Sequence, residues 1–503
     1  MEHILTPSQI RSLIDNDIGS EKKRQAAEGQ RYYEAKHDIL NCRFFYFNDD
    51  GKIIEDKYRA NNKICHPFFT ELSDQLTSYM LSFDDNPIQA KKKAEGLQDH
   101  LDSYFDDEFW AETSELISGA YNKGFEYLYA FRNEENRLTF QCADSMGVIE
   151  VRDKDTDDKC TCIIYWYNDR IVKDNKVVKK IQVWTENDIR YYEQIDSGDI
   201  VVDEDAEINP RPHVIYTDEK TGKRMGFALG YIPFFRLDLN RKQMSGLHPV
   251  KGLIDDYDIM QCGLSNNLAD FDTPLHVVKG YQGDNLDKLQ INLKTKKIVG
   301  VDEDGGIETT TVDIPYQARQ AKAADDEKNI YRFGMGFNTA GLKDTAATTN
   351  LVIRAAYALL DMKADKLEIR LKRLLKSIVK IVLAEINEDN GTDYQLSDVE
   401  IEFTRSTLTN ETENLANEKA KADTEQVRVN TILNVAAAVG EEQTLKALCE
   451  VLDWNYEDIK SAVEKAKAEQ ELNAAKTTLE AVVPDDSDTE PTEPTEPTEP
   501  VEE

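Results

Sequence analysis

Several groups of residues have types and spacings that could do chemistry, and each falls short of a site. Asp153, Asp155 and Asp157 take the first, third and fifth places of a calcium-binding loop. Such a loop needs glycine sixth and a bidentate glutamate twelfth, and the chain has Asp158 and Ile164 there. A solvated acidic turn is the better reading. Cys160 and Cys162 share one face of a strand, but a structural zinc site takes four ligands and no second cysteine pair supplies the rest. Gly334-Met335-Gly336 opens a dinucleotide-like pattern, with Thr339 at the third glycine position and no strand ahead of it, so a plain loop is favoured. The seven histidines are dispersed, and His248 before Pro249 reads as a residue opening a helix. No phosphate-binding loop ending in Gly-Lys-Ser or Gly-Lys-Thr and no nucleophile elbow occurs. The pattern therefore points to no catalytic residue, no metal and no cofactor, and to a protein that is not an enzyme.

The elements that carry these residues must be built by a chain of 503 residues with 61 basic and 96 acidic side chains, a net charge of −35. Such a surface does not grip nucleic acid by counterion release, although it can let DNA pass. At 40% hydrophobic and 9% aromatic the composition supports real cores. Seven unevenly spaced cysteines read as reduced thiols, not as a disulfide framework. No basic leader precedes an apolar core in the first residues, and the longest uncharged apolar window, Met225–Phe235, is about half of the roughly 20 residues a spanning helix needs. The expectation is a soluble chain made inside the cell.

The spacing predicts helices over Lys22–Lys36, Phe68–Phe83, Leu97–Asp106 and Phe109–Lys123, the last stopping at Gly124. A short β-like patch, Arg43–Asn48, precedes the turn Asn48-Asp49-Asp50-Gly51. Alternating runs at Leu138–Gln141, Cys162–Tyr167, Val177–Val183 and Ile189–Tyr192 predict an antiparallel sheet. Val250, Leu253, Ile254, Tyr257, Met260, Leu264, Leu268 and Phe271 form the apolar stripe of a helix ended by Pro274. A compact β segment follows, with strands at Leu275–Tyr281, Leu289–Leu293, Lys297–Val301 and Ile307–Val312. Tyr316–Phe333 then returns as an alanine-rich helix. Gly334–Thr349 reads as a mobile loop, with Gly334, Gly336 and Gly341 supplying backbone freedom. A long helix runs from Asn350 to about Asn387, Val399–Phe403 is a strand, and Glu411–Lys476 is largely helical with a break at Gly440. Pro484–Glu503 carries nine acidic and no basic residues around repeated Thr-Glu-Pro, a composition that cannot bury a core.

Two helices that leave a body, reach a β module and return suit a stalk, and a stalk must bury its apolar stripe against neighbouring copies. This order of parts, with particular residues, resembles the portal proteins of tailed bacteriophages, the siphophage class in particular. The matching stretches begin with Gly29-Gln30-Arg31-Tyr32-Tyr33, Asn61-Asn62 and Ala120-Tyr121-Asn122-Lys123-Gly124-Phe125-Glu126-Tyr127. Ile232-Pro233-Phe234 and Gly252-Leu253-Ile254-Asp255-Asp256-Tyr257-Asp258 follow. Asp304-Gly305-Gly306, Tyr357-Ala358-Leu359-Leu360-Asp361-Met362-Lys363-Ala364 and Phe403-Thr404-Arg405 complete the set. Their shared order covers residues 29–410, and Asn410–Glu503 matches only in character.

The resemblance implies an α+β portal fold. Its wing would be residues 1–246, its stem helices 247–272 and 316–333, and its clip 273–315. The tunnel loop would be 334–349, the long wing helix and strand 350–409, the crown 410–480 and the acidic tail 481–503. It implies a homo-oligomer, a ring of twelve at one capsid vertex, with double-stranded DNA passing through and terminase, a head-completion adaptor, major capsid and scaffolding proteins as partners, and no membrane. The protein would be made in the bacterial host cytoplasm and reside in the virion. Gly334, Gly336, Gly341 and Lys343 would act in the tunnel loop, Arg319, Lys322, Lys328 and Arg332 would be stem cations near the lumen, and Asp302, Glu303 and Asp304 would dock partners at the clip. For each cation a solvated or salt-bridging role is the plainer reading. Two alternatives stay open: a ring-forming head-tail adaptor without a packaging role, and a capsid-associated DNA-processing enzyme. Leu351–Lys380 departs from the acidic background, with eight basic residues against Asp361, Asp365 and Glu368. The favoured partner of this helix is an acidic surface of the adjacent subunit, with DNA contact the alternative.

Overall fold

The computed structural model describes residues 5–57, 59–94, 96–133, 137–152, 159–169, 176–217, 224–271, 275–279, 306–310, 315–338, 350–405, 411–452, 454–456, 459–463 and 465. The chain forms two compact units, Met1–Leu408 and Thr409–Glu503.

In the first unit, α1 (Pro7–Ile18) is opened by a capping box in which Thr6 and Gln9 exchange side-chain to backbone hydrogen bonds, with proline at the first position. The helices α2 (Glu21–Tyr33), α3 (Phe68–Met80), α4 (Leu97–Tyr104) and α5 (Asp107–Lys123) follow. Asp106 caps α5, and Gly124 ends it at φ +92°, a left-handed turn that a side chain resists. A Cβ on Gly124 would also meet the Gln243 carbonyl oxygen at 2.3 Å.

Three of the four predicted runs join one antiparallel sheet of β6 (Val148–Arg152), β7 (Cys160–Asn168), β8 (Val178–Trp184), β9 (Asp188–Ile195) and β10 (Ile200–Val202), hydrogen-bonded in sequence order, with β11 (Arg211–Pro212) also on β9. The run at Leu138–Gln141 joins a separate sheet. A second sheet sets β4 (Phe125–Arg132) between β5 (Leu138–Ala143) and β14 (Phe234–Asp238). Smaller antiparallel pairs are β1 (Phe45–Phe47) with β2 (Ile53–Glu55), β12 (Val214–Thr217) with β13 (Arg224–Phe227), and β3 (Ile88–Ala90) with β17 (Val399–Ile401).

The helices α6 (Lys251–Phe271) and α7 (Tyr316–Phe333) flank the pair β15 (Leu275–Lys279) and β16 (Gly306–Thr310). The longest helix, α8, spans Asn350–Asn390. The expected strands 289–293 and 297–301 and the acidic tail lie outside the described residues. The fold is mixed helix and sheet, the α+β class expected.

The main core collects α3, α4, α5, β4 and β5 around the inner face of α8, with Leu367, Leu371, Leu375, Ile378, Val382 and Ile386 buried. At about 1.5–3 kcal/mol per fully buried side chain, this face holds α8 to the body. A second cluster packs Ile10 and Ile14 of α1 on the large sheet through Ile164, Ile181 and Tyr192. In the second unit, α9 (Glu411–Val439) and α10 (Glu441–Val451) meet at Gly440, where the sequence predicts the break. Among the described residues, no helix is long and apolar enough to cross a membrane.

Candidate functional site

The apolar stripe of α6 divides. Val250 and Ile254 are fully buried and Leu253 and Tyr257 pack partly against the main core, so the first turns belong to the body. Met260 and Leu264 are half-buried, and Leu268 is 53% exposed. Beyond Tyr257 the deeply buried residues are polar or small instead: Asp258, Cys262 and Asn266, four apart and therefore on one face.

A strap of residues 37–66 covers that face. Both oxygens of Asp258 are engaged, with His37 Nδ1 at 2.6 Å on one and His66 Nδ1 at 2.7 Å on the other, and the His66 N–H donates at 3.0 Å. Cys262 Sγ accepts from the Ile64 N–H at 3.2 Å. Asn266 Oδ1 accepts from the Asn62 N–H at 2.6 Å and its side-chain amide at 3.0 Å, and Asp270 accepts from the Ala60 N–H at 2.8 Å. Four helical residues rise about 6 Å and two extended residues about 6.6 Å, so helix and strap stay in register as they run antiparallel. Burial alone would raise the Asp258 carboxyl, but the hydrogen bonds from His37 and His66 outweigh it and hold it below the ordinary carboxylate range.

The root of α6 is tied as firmly. Lys251 Nζ lies 2.7 Å from both Asp38 and Asp255, Tyr32 donates its hydroxyl to Asp255, and Arg31 reaches Asp38 at 2.6 Å. Burial opposes ionisation of Asp38, yet the bonds from Lys251 and Arg31 bring it down to about 2. The His37 ring stacks on Tyr32 with centroids 4.5 Å apart. Sequence reasoning quotes Asp258 only within a stretch that carries the resemblance and assigns no role to Cys262 or Asn266. Their four-residue spacing opposite Asn61-Asn62 was the available signal.

The predicted stem cations take different places. Arg319 donates to the Met260 carbonyl at 3.4 Å, and Gly263 leaves room for it, since a Cβ there would lie 2.9 Å from the guanidinium. Lys322 pairs with Asp256 of α6 and Asp326 of its own helix. These contacts run in opposite sequence directions, so α6 and α7 form an antiparallel pair. Lys328 and Arg332 are exposed, and Arg332 lies over the Phe333 ring at 5.9 Å.

The start of the expected mobile loop is pinned. Gly334 has helical backbone at φ −73°, and a Cβ on Gly334 or Gly336 would collide with Leu72 at 2.5 or 2.2 Å. These two glycines therefore serve close approach to α3, where the sequence suggested backbone freedom. Phe337 exchanges both backbone hydrogen bonds with the Gln75 side chain, at 2.9 and 2.8 Å, and stacks on Tyr357. Lys363 of α8 donates to the Gly334 carbonyl at 3.0 Å and sits over the Tyr121 ring. Burial pushes its ammonium down to about 7. Gly341, Lys343, Asp302, Glu303, Asp304 and the Phe271 side chain lie outside what is described.

On α8 the three acidic residues of the basic stretch, Asp361, Asp365 and Glu368, are all gathered by Arg405. Lys366, Arg373, Lys376 and Lys380 are left exposed along the helix. On the large sheet, Glu193, Asp203 and Asp205 converge on Lys180 Nζ at 3.0, 2.7 and 3.9 Å. The ammonium supplies the charge that this acidic cluster requires.

Residues 14–474 match the family model described as phage portal protein, SPP1 Gp6-like. The portal protein of Bacillus phage SPP1 is 24% identical over 403 residues, covering 80% of this chain and 78% of that one. The portal protein of Clostridium phage phiCD119 is 23% identical over 437 residues, covering 80% and 87%.

Proposed function

The chain belongs to the SPP1 Gp6-like phage portal protein family, a structural family of the capsid portal used for DNA packaging, and from that premise we propose how its parts divide the work. Residues 1–246 and 350–409 form the wing, α6 and α7 within 247–272 and 316–333 form the stem, and 273–315 form the clip. Residues 334–349 form the tunnel loop, 410–480 the crown and 481–503 the acidic tail. Twelve copies close into a ring whose stem and loop surround the channel, through which DNA enters during packaging and leaves at ejection. Terminase and then a head-completion adaptor dock at the clip, with Asp302, Glu303 and Asp304 as candidate contacts.

The observation that carries this reading is the antiparallel α6–α7 pair. It is stapled by Lys322–Asp256 and Arg319–Met260, rooted in the body at Val250 and Ile330, and continued into the paired strands β15 and β16. Such a pair transmits position from the body to the clip without bending, which a conduit needs. The charge supports it as well. At −35 per copy the ring repels phosphates, so a duplex slides without being held by a basic wall. With Arg319 and Lys322 each held by a partner between or along the stem helices, Lys328 and Arg332 are the exposed cations of α7 that would face the lumen, with Lys343 of the loop. Gly334 and Gly336 fix where the loop begins, and Gly341 and Lys343 act within it. Electron microscopy of the purified chain tests the reading. A closed ring with a channel wide enough for duplex DNA is expected, and a homogeneous monomer at every salt concentration contradicts it.

A further inference from the structure

The strap carries at its tip an element that the described residues leave uncovered. Its outgoing and returning arms are tied to each other, with Asn61 donating to the Cys42 carbonyl at 3.1 Å and Lys63 to that of Leu40 at 2.9 Å. Between Cys42 and Ala60 stands the hairpin β1–β2. Its register pairs Phe45 with Glu55, Tyr46 with Ile54 and Phe47 with Ile53. Opposed residues share a face, so Phe45, Phe47 and Ile53 lie on one side and Tyr46 and Ile54 on the other. Exposures are 58%, 72% and 66% on the first face and 44% and 41% on the second. An isolated two-stranded hairpin is marginal in water. Side chains of this size leave on the order of 500 Å² exposed over the two faces together, most of it, roughly 350–400 Å², on the Phe45–Phe47–Ile53 face, within the range of the largest patch on a typical monomer.

Resting on the ring reading above, we infer that the occupant of this hairpin is a second copy of the same chain. The Phe45–Phe47–Ile53 face packs on the neighbour's stem around Leu268 and Tyr316. Three observations select this partner. The flanks of the hairpin are fixed to α6 between Cys262 and Asp270, and rotation about a ring axis along the stem preserves height. The neighbour therefore presents the same level of its own α6, together with the start of α7. At that level Leu268 and Tyr316 are 53% and 54% exposed, and both are apolar or aromatic. Charge agrees. Cys42–Ala60 holds four basic and four acidic residues in a chain of net −35, so it can approach another copy without the repulsion that most of the surface brings. A hairpin on one copy and a stem face on the next make a head-to-tail contact, the type that closes rings. The hairpin alone supplies roughly half of the ~800 Å² that each partner contributes to a standard interface. It therefore adds to other contacts between subunits.

Two measurements on the full-length chain test this. Replacing Phe45, Phe47 and Ile53 together with serine should leave the circular dichroism melt of the unassembled chain unchanged, because these side chains touch little. It should raise the concentration at which rings half-assemble at least tenfold. In parallel, a photo-reactive phenylalanine at position 47 should cross-link to the peptides bearing Leu268 or Tyr316 of another copy, as shown by mixing isotopically labelled and unlabelled chains. Rings of unchanged assembly midpoint, or cross-links confined to the same chain, overturn the inference while leaving the ring reading intact. Cross-links found only to another viral protein in virions overturn it in favour of that partner. A wild-type chain that never forms rings overturns the functional reading itself, and this one with it.

Discussion

The two long helices of the body, α6 and α8, are both written in apolar residues at three- and four-residue spacing, yet they use the pattern differently. Along α8 the inner stripe holds to the end, with Leu367, Leu371, Leu375, Ile378, Val382 and Ile386 facing the core of the same chain, while Leu359, Met362 and Ile369 stand off that stripe at 37%, 52% and 72% exposure. Along α6 it holds only to Tyr257. Beyond that point Asp258, Cys262 and Asn266 are buried beneath the strap, and Ile259 and Leu268 are left exposed at 54% and 53%. A helix that completes a monomer buries its apolar face internally. On the reading proposed above, α6 spends the inner face of its far half on a polar lock to its own chain and leaves Ile259 and Leu268 for the next copy.

The largest test of that contrast is at Asp258. Replacing it with alanine removes the acceptor for the buried His37 and the half-buried His66 and should cost about 3–5 kcal/mol, seen as a lower melting temperature and early proteolysis between residues 42 and 60. Leu371→Ala in α8 should cost about 2–5 kcal/mol by leaving a cavity, without freeing the strap. The sign with pH follows from the Asp258 carboxyl lying below its ordinary range. Its contribution is present above the unfolded carboxylate pKa and is lost as pH falls through the folded value. Asp258→Asn should therefore show a flatter acid limb than wild type. If Asp258→Leu is as stable as wild type, the polar lock is only another core contact and the contrast fails.

Next in size is Lys363, where α8 holds the end of α7. Its folded ammonium releases a proton near 7, while the unfolded chain keeps it to about 10.5. Stability should therefore rise with pH across that window, by at most about 4–5 kcal/mol. The expected result is a wild-type melting temperature that rises relative to Lys363→Met between pH 7 and 10. Parallel curves would show that the buried ammonium is better compensated than its neighbours Gly334, Leu72 and Tyr121 indicate.

The smallest effect on the single chain is expected at Leu268. Leu268→Ser should change the stability of the unassembled chain by no more than about 0.5 kcal/mol while weakening ring assembly. A large loss in the monomer would place Leu268 with Leu371, as a residue of the chain's own core.

Much of this was legible before the structure. The bounds of α5, α7 and α8, the break at Gly440 and the antiparallel sheet follow from periodicity and turn chemistry, and α6 starts within a residue of its expected position. The helix α1 was missed although Thr6, Pro7 and Gln9 spell out its cap, because its apolar residues are sparse. The strap could not be read, since Asp258, Cys262 and Asn266 show no role until His37, Ile64, Asn62 and His66 arrive from 190 or more positions away. Gly334 and Gly336 suggested freedom, and what they provide is space for Leu72. Glycine alone does not distinguish a backbone that must bend from one that must come close.

Hydrogen–deuterium exchange on the chain before and after ring assembly tests the contrast most directly. The account predicts that the protection gained over the hairpin at residues 45–55 and over 259–271 of α6 exceeds any gained over 367–386 of α8, whose inner apolar face is already buried. Protection gained along 367–386, with the hairpin and the far half of α6 exchanging as before, would contradict it.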